Sequence, residues 1–252
     1  MNWKLRPREL FRSRTSGGCA GVGLIFSLAA TAIAILIIMA GARLVGSPEA
    51  WREGRAPVTE AETDPEKWRE LLQDLSDLAI ADEEVRALLT PEQIQSRWLG
   101  EAPATDADIA AAEARLGLRL PPSYRAFLKV SNGWNWPNSF VARLAGTSDI
   151  GWTREKDADL IRGWEEGSRY ATAQFGAPPP SPEDHLAQTI LISTPHEEDD
   201  AAYFMLNPET RSNGEFEAWF FSSWNPGANA HPSFWHLMVD VRYSIRDMQE
   251  ER

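Results

Sequence analysis

His196, Glu197, Glu198, Asp199 and Asp200 stand in one unbroken run. An imidazole with four carboxylates could hold a divalent metal or furnish an acid–base pair. The same run, set between two β-rich segments, also reads as a solvated turn or as an acidic contact surface for another protein. The turn and the contact surface are the favoured readings, because no second ligand cluster accompanies the run. His185, His231 and His236 show no metal-binding spacing. The five-residue interval between His231 and His236 would place them on different faces of a helix. Neither a metal nor a cofactor is expected.

Nucleophilic chemistry is no better supported. The chain has no G-x-S-x-G elbow, and its single cysteine, Cys19, lies beside an apolar stretch. Gly17, Gly18, Gly21 and Gly23 fall in that stretch as well, not between a strand and a helix, so they form no phosphate loop. No catalytic residue is expected and the chain is read as a non-enzyme. Trp134 and Trp136 flank Asn135 on a predicted loop. Aromatic residues beside acids are typical of protein-binding hot spots, although core packing would also account for the two indoles. The candidate partner-binding residues are therefore Trp134, Trp136, His196, Glu197, Glu198, Asp199 and Asp200.

The elements that must position these residues follow from local patterns. Thr105 and Asp108 resemble a capping box opening a short helix that Gly117 ends. Leu120-Pro-Pro places Pro122 in the first turn of a second helix, where its missing N–H costs nothing. Tyr124, Phe127 and Leu128 give that helix an apolar face, and Asn132-Gly133 is expected to stop it with a left-handed backbone. Upstream, Trp68, Leu71, Leu72, Leu75 and Leu78 form one helical stripe, followed by short helices over 82–89 and 91–99. Residues 139–144, 189–194, 202–206 and 216–222 read as strands, with Asn213-Gly214 as a hairpin turn. Helices are predicted over 157–170 and 234–248. Helices at both ends of a central, mainly antiparallel sheet define an α+β class.

The ends of the chain differ in charge. Residues 1–43 carry six basic and one acidic side chain; of the chain's 25 basic and 37 acidic residues, 19 and 36 remain, a net of −17. A field of that sign repels nucleic acid and accelerates encounter with basic proteins. Residues 15–42 contain no charge and 22–39 are almost wholly apolar, long enough to cross a bilayer as a helix. A cleaved signal peptide is the alternative, since Ala40-Gly-Ala42 offers a small-residue site. Lys4, Arg6, Arg8, Arg12 and Arg14 precede the span, against Arg43, Arg52 and Arg55 after it, which favours an inside amino terminus and an extracytoplasmic globular part. The expected organisation is a basic cytoplasmic terminus at 1–19, a transmembrane helix at 20–42, a linker at 43–63, a helical extension at 64–100 and the principal domain at 101–252. The oligomeric state is not legible.

Three blocks in the principal domain resemble the SUKH superfamily, the domain of the fungal Smi/Knr-type cell-wall regulators and of many bacterial immunity proteins. The first comprises Ile109 to Glu113, Leu116-Gly117, Leu120-Pro121, Tyr124 to Leu128 and Asn132-Gly133. The second comprises Ile190 to Ser193, Ala202 to Pro208 and Glu217 to Phe221. The third runs from Trp224-Asn-Pro-Gly227 into Ser233 to Leu237. The resemblance implies a non-enzymatic binding protein. Its leading expectation is an immunity protein, anchored in the membrane, that binds a cognate toxin, expected to be basic, and occludes it. An envelope scaffold for cell-wall enzymes and, third, a carboxylate-dependent hydrolase are the alternatives.

Overall fold

The computed structural model describes residues 59–176, 182–195, 202–222 and 227–250. The apolar segment at 20–42 lies outside them; among the described residues no helix is long and apolar enough to cross a membrane. The described residues open with four helices: α1 (Glu60–Thr63), α2 (Pro65–Ala81), α3 (Glu83–Leu88) and α4 (Pro91–Ser96). Asp64 caps α2 by accepting a hydrogen bond from the Glu66 N–H at 2.8 Å, with Pro65 at the first position. Trp68, Leu71, Leu72 and Leu75 are buried as the stripe predicts, while Leu78 is only half-buried and Ala79 and Ile80 complete the face.

The next pair, α5 (Asp106–Leu116) and α6 (Pro122–Val130), carries the expected capping box and a left-handed Gly117 at φ +72°. The stop of α6 departs from expectation. The helix ends at Ser131 in an extended conformation, and only Gly133 has positive φ. Asn132 instead pins the following turn: its side-chain oxygen accepts from the Thr147 N–H at 2.7 Å.

Among the described residues eight strands form two antiparallel sheets, which meet at Ile192. The smaller sheet has the order β1 (Trp134–Asn138), β2 (Val141–Leu144), β5 (Ser193–Pro195). The larger has the order β3 (Gly151–Trp152), β4 (Ile190–Leu191), β6 (Ala202–Ser212), β7 (Glu215–Ser222), β8 (Ala228–His231). The single β-rich run expected at 189–194 is thus two strands, and Ile192 between them serves both sheets. Its N–H donates to the Phe204 carbonyl at 3.0 Å, and its own carbonyl accepts from the Ala145 N–H at 2.8 Å. Asn213 and Gly214 close the β6–β7 hairpin with φ of +53° and +86°, the backbone that a two-residue turn matching the strand twist requires.

Helices α7 (Thr153–Lys156) and α8 (Ala158–Phe175) follow β3, and α9 (Phe234–Glu250) closes the fold. The α+β class and its antiparallel sheets are as expected. The centre of the core is aromatic. Trp68 of α2 stacks on Phe234 of α9 at 5.6 Å between centroids and lies 5.6 Å from Phe127 of α6, while Tyr124 meets Phe234 edge-on at 5.0 Å. The amino-terminal helices and the closing helix therefore share one core with α6.

Candidate partner-binding surface

Trp134 and Trp136 lie on a strand rather than a loop, and they face different surroundings. Trp134 is fully buried and meets Trp98 edge-on at 5.0 Å. Gly100 makes that packing possible, since a Cβ there would fall 2.7 Å from the Trp98 indole nitrogen and 2.8 Å from the Trp134 ring. Trp136 is half-buried, with φ of +54°, at a slip in the β1–β2 register between Asn135 and Asn138. Pro137 explains why the strand escaped prediction. It has no N–H to give a ladder and is tolerated only at an edge or bulge, and β1 is the edge of the smaller sheet.

The hairpin tip is built by Asn138, whose side-chain oxygen accepts from the N–H groups of Phe140 at 2.9 Å and Val141 at 2.8 Å. This turn presents Phe140 with 40% of its surface exposed. Beside it, Trp136, Asn138 and Ser139 form one wall of a shallow cleft whose other walls are Val85 of α3 and Ile245 and Met248 of α9. Val141 pairs with Pro195, the residue that precedes the acidic run in the sequence, so β5 ends beside the hairpin tip. His196, Glu197, Glu198, Asp199 and Asp200 themselves lie outside the described residues.

A second cluster joins residues far apart in sequence and escaped sequence reasoning altogether. Glu62 of α1 is 3% exposed and Ser233 is 1% exposed. The Ser233 hydroxyl donates to Glu62 Oε2 at 2.7 Å and lies 2.8 Å from His236 Nδ1. Serine, histidine and glutamate are the components of an acyl-transfer triad, but their order is wrong for one. A nucleophile needs the histidine between serine and carboxylate, whereas here the hydroxyl stands between the other two and is enclosed. Ser233 instead caps α9, its carbonyl accepting from the Leu237 N–H at 3.2 Å and its hydroxyl from the His236 N–H at 3.4 Å. The arrangement ties the first described helix to the last. No local motif could have revealed it, because Glu62 and Ser233 are 171 residues apart.

Neighbouring titratable groups are strongly shifted. Burial pushes the Glu215 carboxyl up to about 7, opposed by hydrogen bonds from the Ser123 hydroxyl and N–H and assisted by the charge of Glu62. Those bonds measure 2.6 and 2.8 Å. Burial takes His231 down to about 4, with His236 adding to the effect. His236 is also lowered by burial, against the pull of Glu62. His231 ends β8 and His236 lies in the first turn of α9, the helix predicted from residue 234. Among the described residues no group of three or more His, Cys, Asp or Glu is placed to hold a metal ion.

A family model, SMI1 / KNR4 family (SUKH-1), matches residues 103–236. No curated protein matches the chain.

Proposed function

We propose, from the premise that this chain belongs to the SMI1/KNR4 family (SUKH-1), that it is a protein-binding module of the immunity type. In this reading it neutralises a toxin by covering it. The observation that carries the reading is the end of the smaller sheet, where Phe140 is exposed and Trp136 is half-exposed on the hairpin beside which β5 ends at Pro195. An aromatic anchor with an acidic rim suits a partner that offers an apolar pocket among basic side chains. The anionic charge of residues 44–252 accelerates encounter, and the aromatic contacts slow release. Trp134 supports this surface from below through its packing on Trp98.

The proposal includes a single membrane span at 20–42 with the amino terminus inside and the globular part outside the cytoplasm. An anchor of that kind would hold the module where an incoming effector crosses the envelope. The test is a crosslinked pull-down of the tagged full-length chain from its own membranes, read by mass spectrometry. One dominant basic partner resembling a secreted toxin is the expected result. Recovery of the cell's own wall-synthesis or division proteins in its place would overturn immunity in favour of the scaffold reading.

A further inference from the structure

An open groove of about 580 Å³ lies between α6 and the β6–β7 turn. Arg119, Arg125, Lys129 and Arg211 line it around the half-buried Pro122, above the buried side chains of Leu120 and Phe216, with no carboxylate among its lining residues. Two of these cations are already compensated: Arg125 pairs with Glu113, and Lys129 with Asp106 at 2.7 Å. The other two are not. Arg119 is exposed and has no ionic partner among the described residues. Arg211 is held rigidly by its neighbours, its Nε donating to the Pro208 carbonyl at 2.6 Å and its guanidinium lying 4.8 Å over the Phe216 ring. Neither contact uses its terminal nitrogens.

The local sequence exists to make this posture. Between Asn207 and Arg211 the β6–β7 register slips, because Pro208 cannot donate to the ladder and Asn207 Oδ1 takes the Glu209 N–H at 3.0 Å. The bulge brings Arg211 back over Phe216, opposite which it pairs. A guanidinium fixed in this way has little entropy left to lose when it binds an oxyanion.

We infer that this groove binds an acidic peptide segment of a partner protein, its carboxylates on Arg119 and Arg211 and an apolar side chain against the half-buried Pro122. That apolar contact favours a peptide over a bare phosphate. The net charge of −17 in residues 44–252 disfavours a long polyanion, which feels that whole field, while a short segment within a Debye length feels mainly the groove. This groove shares no lining residue with the cleft at the hairpin tip, so substitutions in one leave the other intact and the two proposals fail separately.

The experiment is fluorescence anisotropy with the full-length chain and a labelled short peptide alternating glutamate with leucine. The comparison peptide carries glutamine for glutamate, and inorganic phosphate and a single-stranded oligonucleotide serve as competitors. The acidic peptide should bind, Arg119→Gln should weaken it about tenfold, and Arg119→Gln with Arg211→Gln should abolish it. Arg119 is exposed and makes no hydrogen bond or ion pair among the described residues, so Arg119→Gln should unfold at the same temperature as the parent. Equal binding of the glutamine peptide, or unchanged affinity in Arg119→Gln, would overturn the inference. So would more effective displacement by phosphate or oligonucleotide than by unlabelled peptide.

Discussion

Replacing Glu215 with Gln should change how stability depends on pH, and the structure gives both the sign and the size. Glu215 is 3% exposed and its carboxyl is raised from 4.5 to about 7, first by burial. Between those values the folded chain holds a proton that the unfolded chain has released, so stability falls as pH rises through the window. The linkage amounts to about 3 kcal/mol in all, of which about 2.5 kcal/mol falls between pH 5 and pH 8. His231, lowered from 6.5 to about 4, acts in the opposite direction. There the unfolded chain binds the extra proton, and stability rises with pH by about 2 kcal/mol over the same interval. The two contributions nearly cancel in the parent. Glu215→Gln keeps an oxygen for the Ser123 N–H but cannot ionise, so only the histidine contribution remains. Urea unfolding at pH 5, 6.5 and 8 should show the variant gaining about 2.5 kcal/mol on the parent from the lowest to the highest pH. All other titrations cancel in that difference. Parallel pH profiles for the two proteins would refute a carboxyl held protonated by its burial.

Other substitutions probe packing and the proposed surface. Trp68→Ala removes a fully buried indole from three aromatic neighbours and should cost about 3–5 kcal/mol in urea unfolding. Gly100→Ala would drive a methyl into the Trp98–Trp134 contact and should cost about 1–3 kcal/mol, read as a lower unfolding temperature. Exchanging His196, Glu197, Glu198, Asp199 and Asp200 for Ala and Ser should lower the association rate with the partner and flatten its salt dependence, measured by surface-based kinetics. Phe140→Ala should raise the partner dissociation rate about tenfold or more.

Much of the frame was legible because its signals are local. Thr105 and Asp108, Pro122, Gly117 and Asn213-Gly214 act within a few residues of themselves, and each does what its chemistry predicts. The strands were harder. β1 contains Pro137 and a left-handed Trp136, and β8 has the sequence Ala-Asn-Ala-His, with neither alternation nor branching to mark it. Ile192 looks like any other residue of an apolar run, and only the pairing partners on either side reveal that the run changes sheets. The aromatic site was half legible. Composition singled out Trp134 and Trp136, but burial separates them, and Phe140 gains its exposure from a turn set by Asn138. The cluster of Glu62, Ser233 and His236 could not be read at all, since its members meet only when both ends of the described chain have docked.

That cluster also sets the mechanical route into the fold. The described chain begins at Thr59, so tension on the preceding residues reaches α1 first. There it meets the Ser233–Glu62 hydrogen bond at 2.7 Å and the Trp68 indole N–H, which donates to the Glu62 carbonyl at 2.8 Å. Both lie ahead of any strand, and both anchor to the aromatic core instead of a sheet edge. A pull on the amino-terminal side would therefore load the link between α1 and α9 before any described strand, so the first event under force is the undocking of a helix and not the shearing of a sheet.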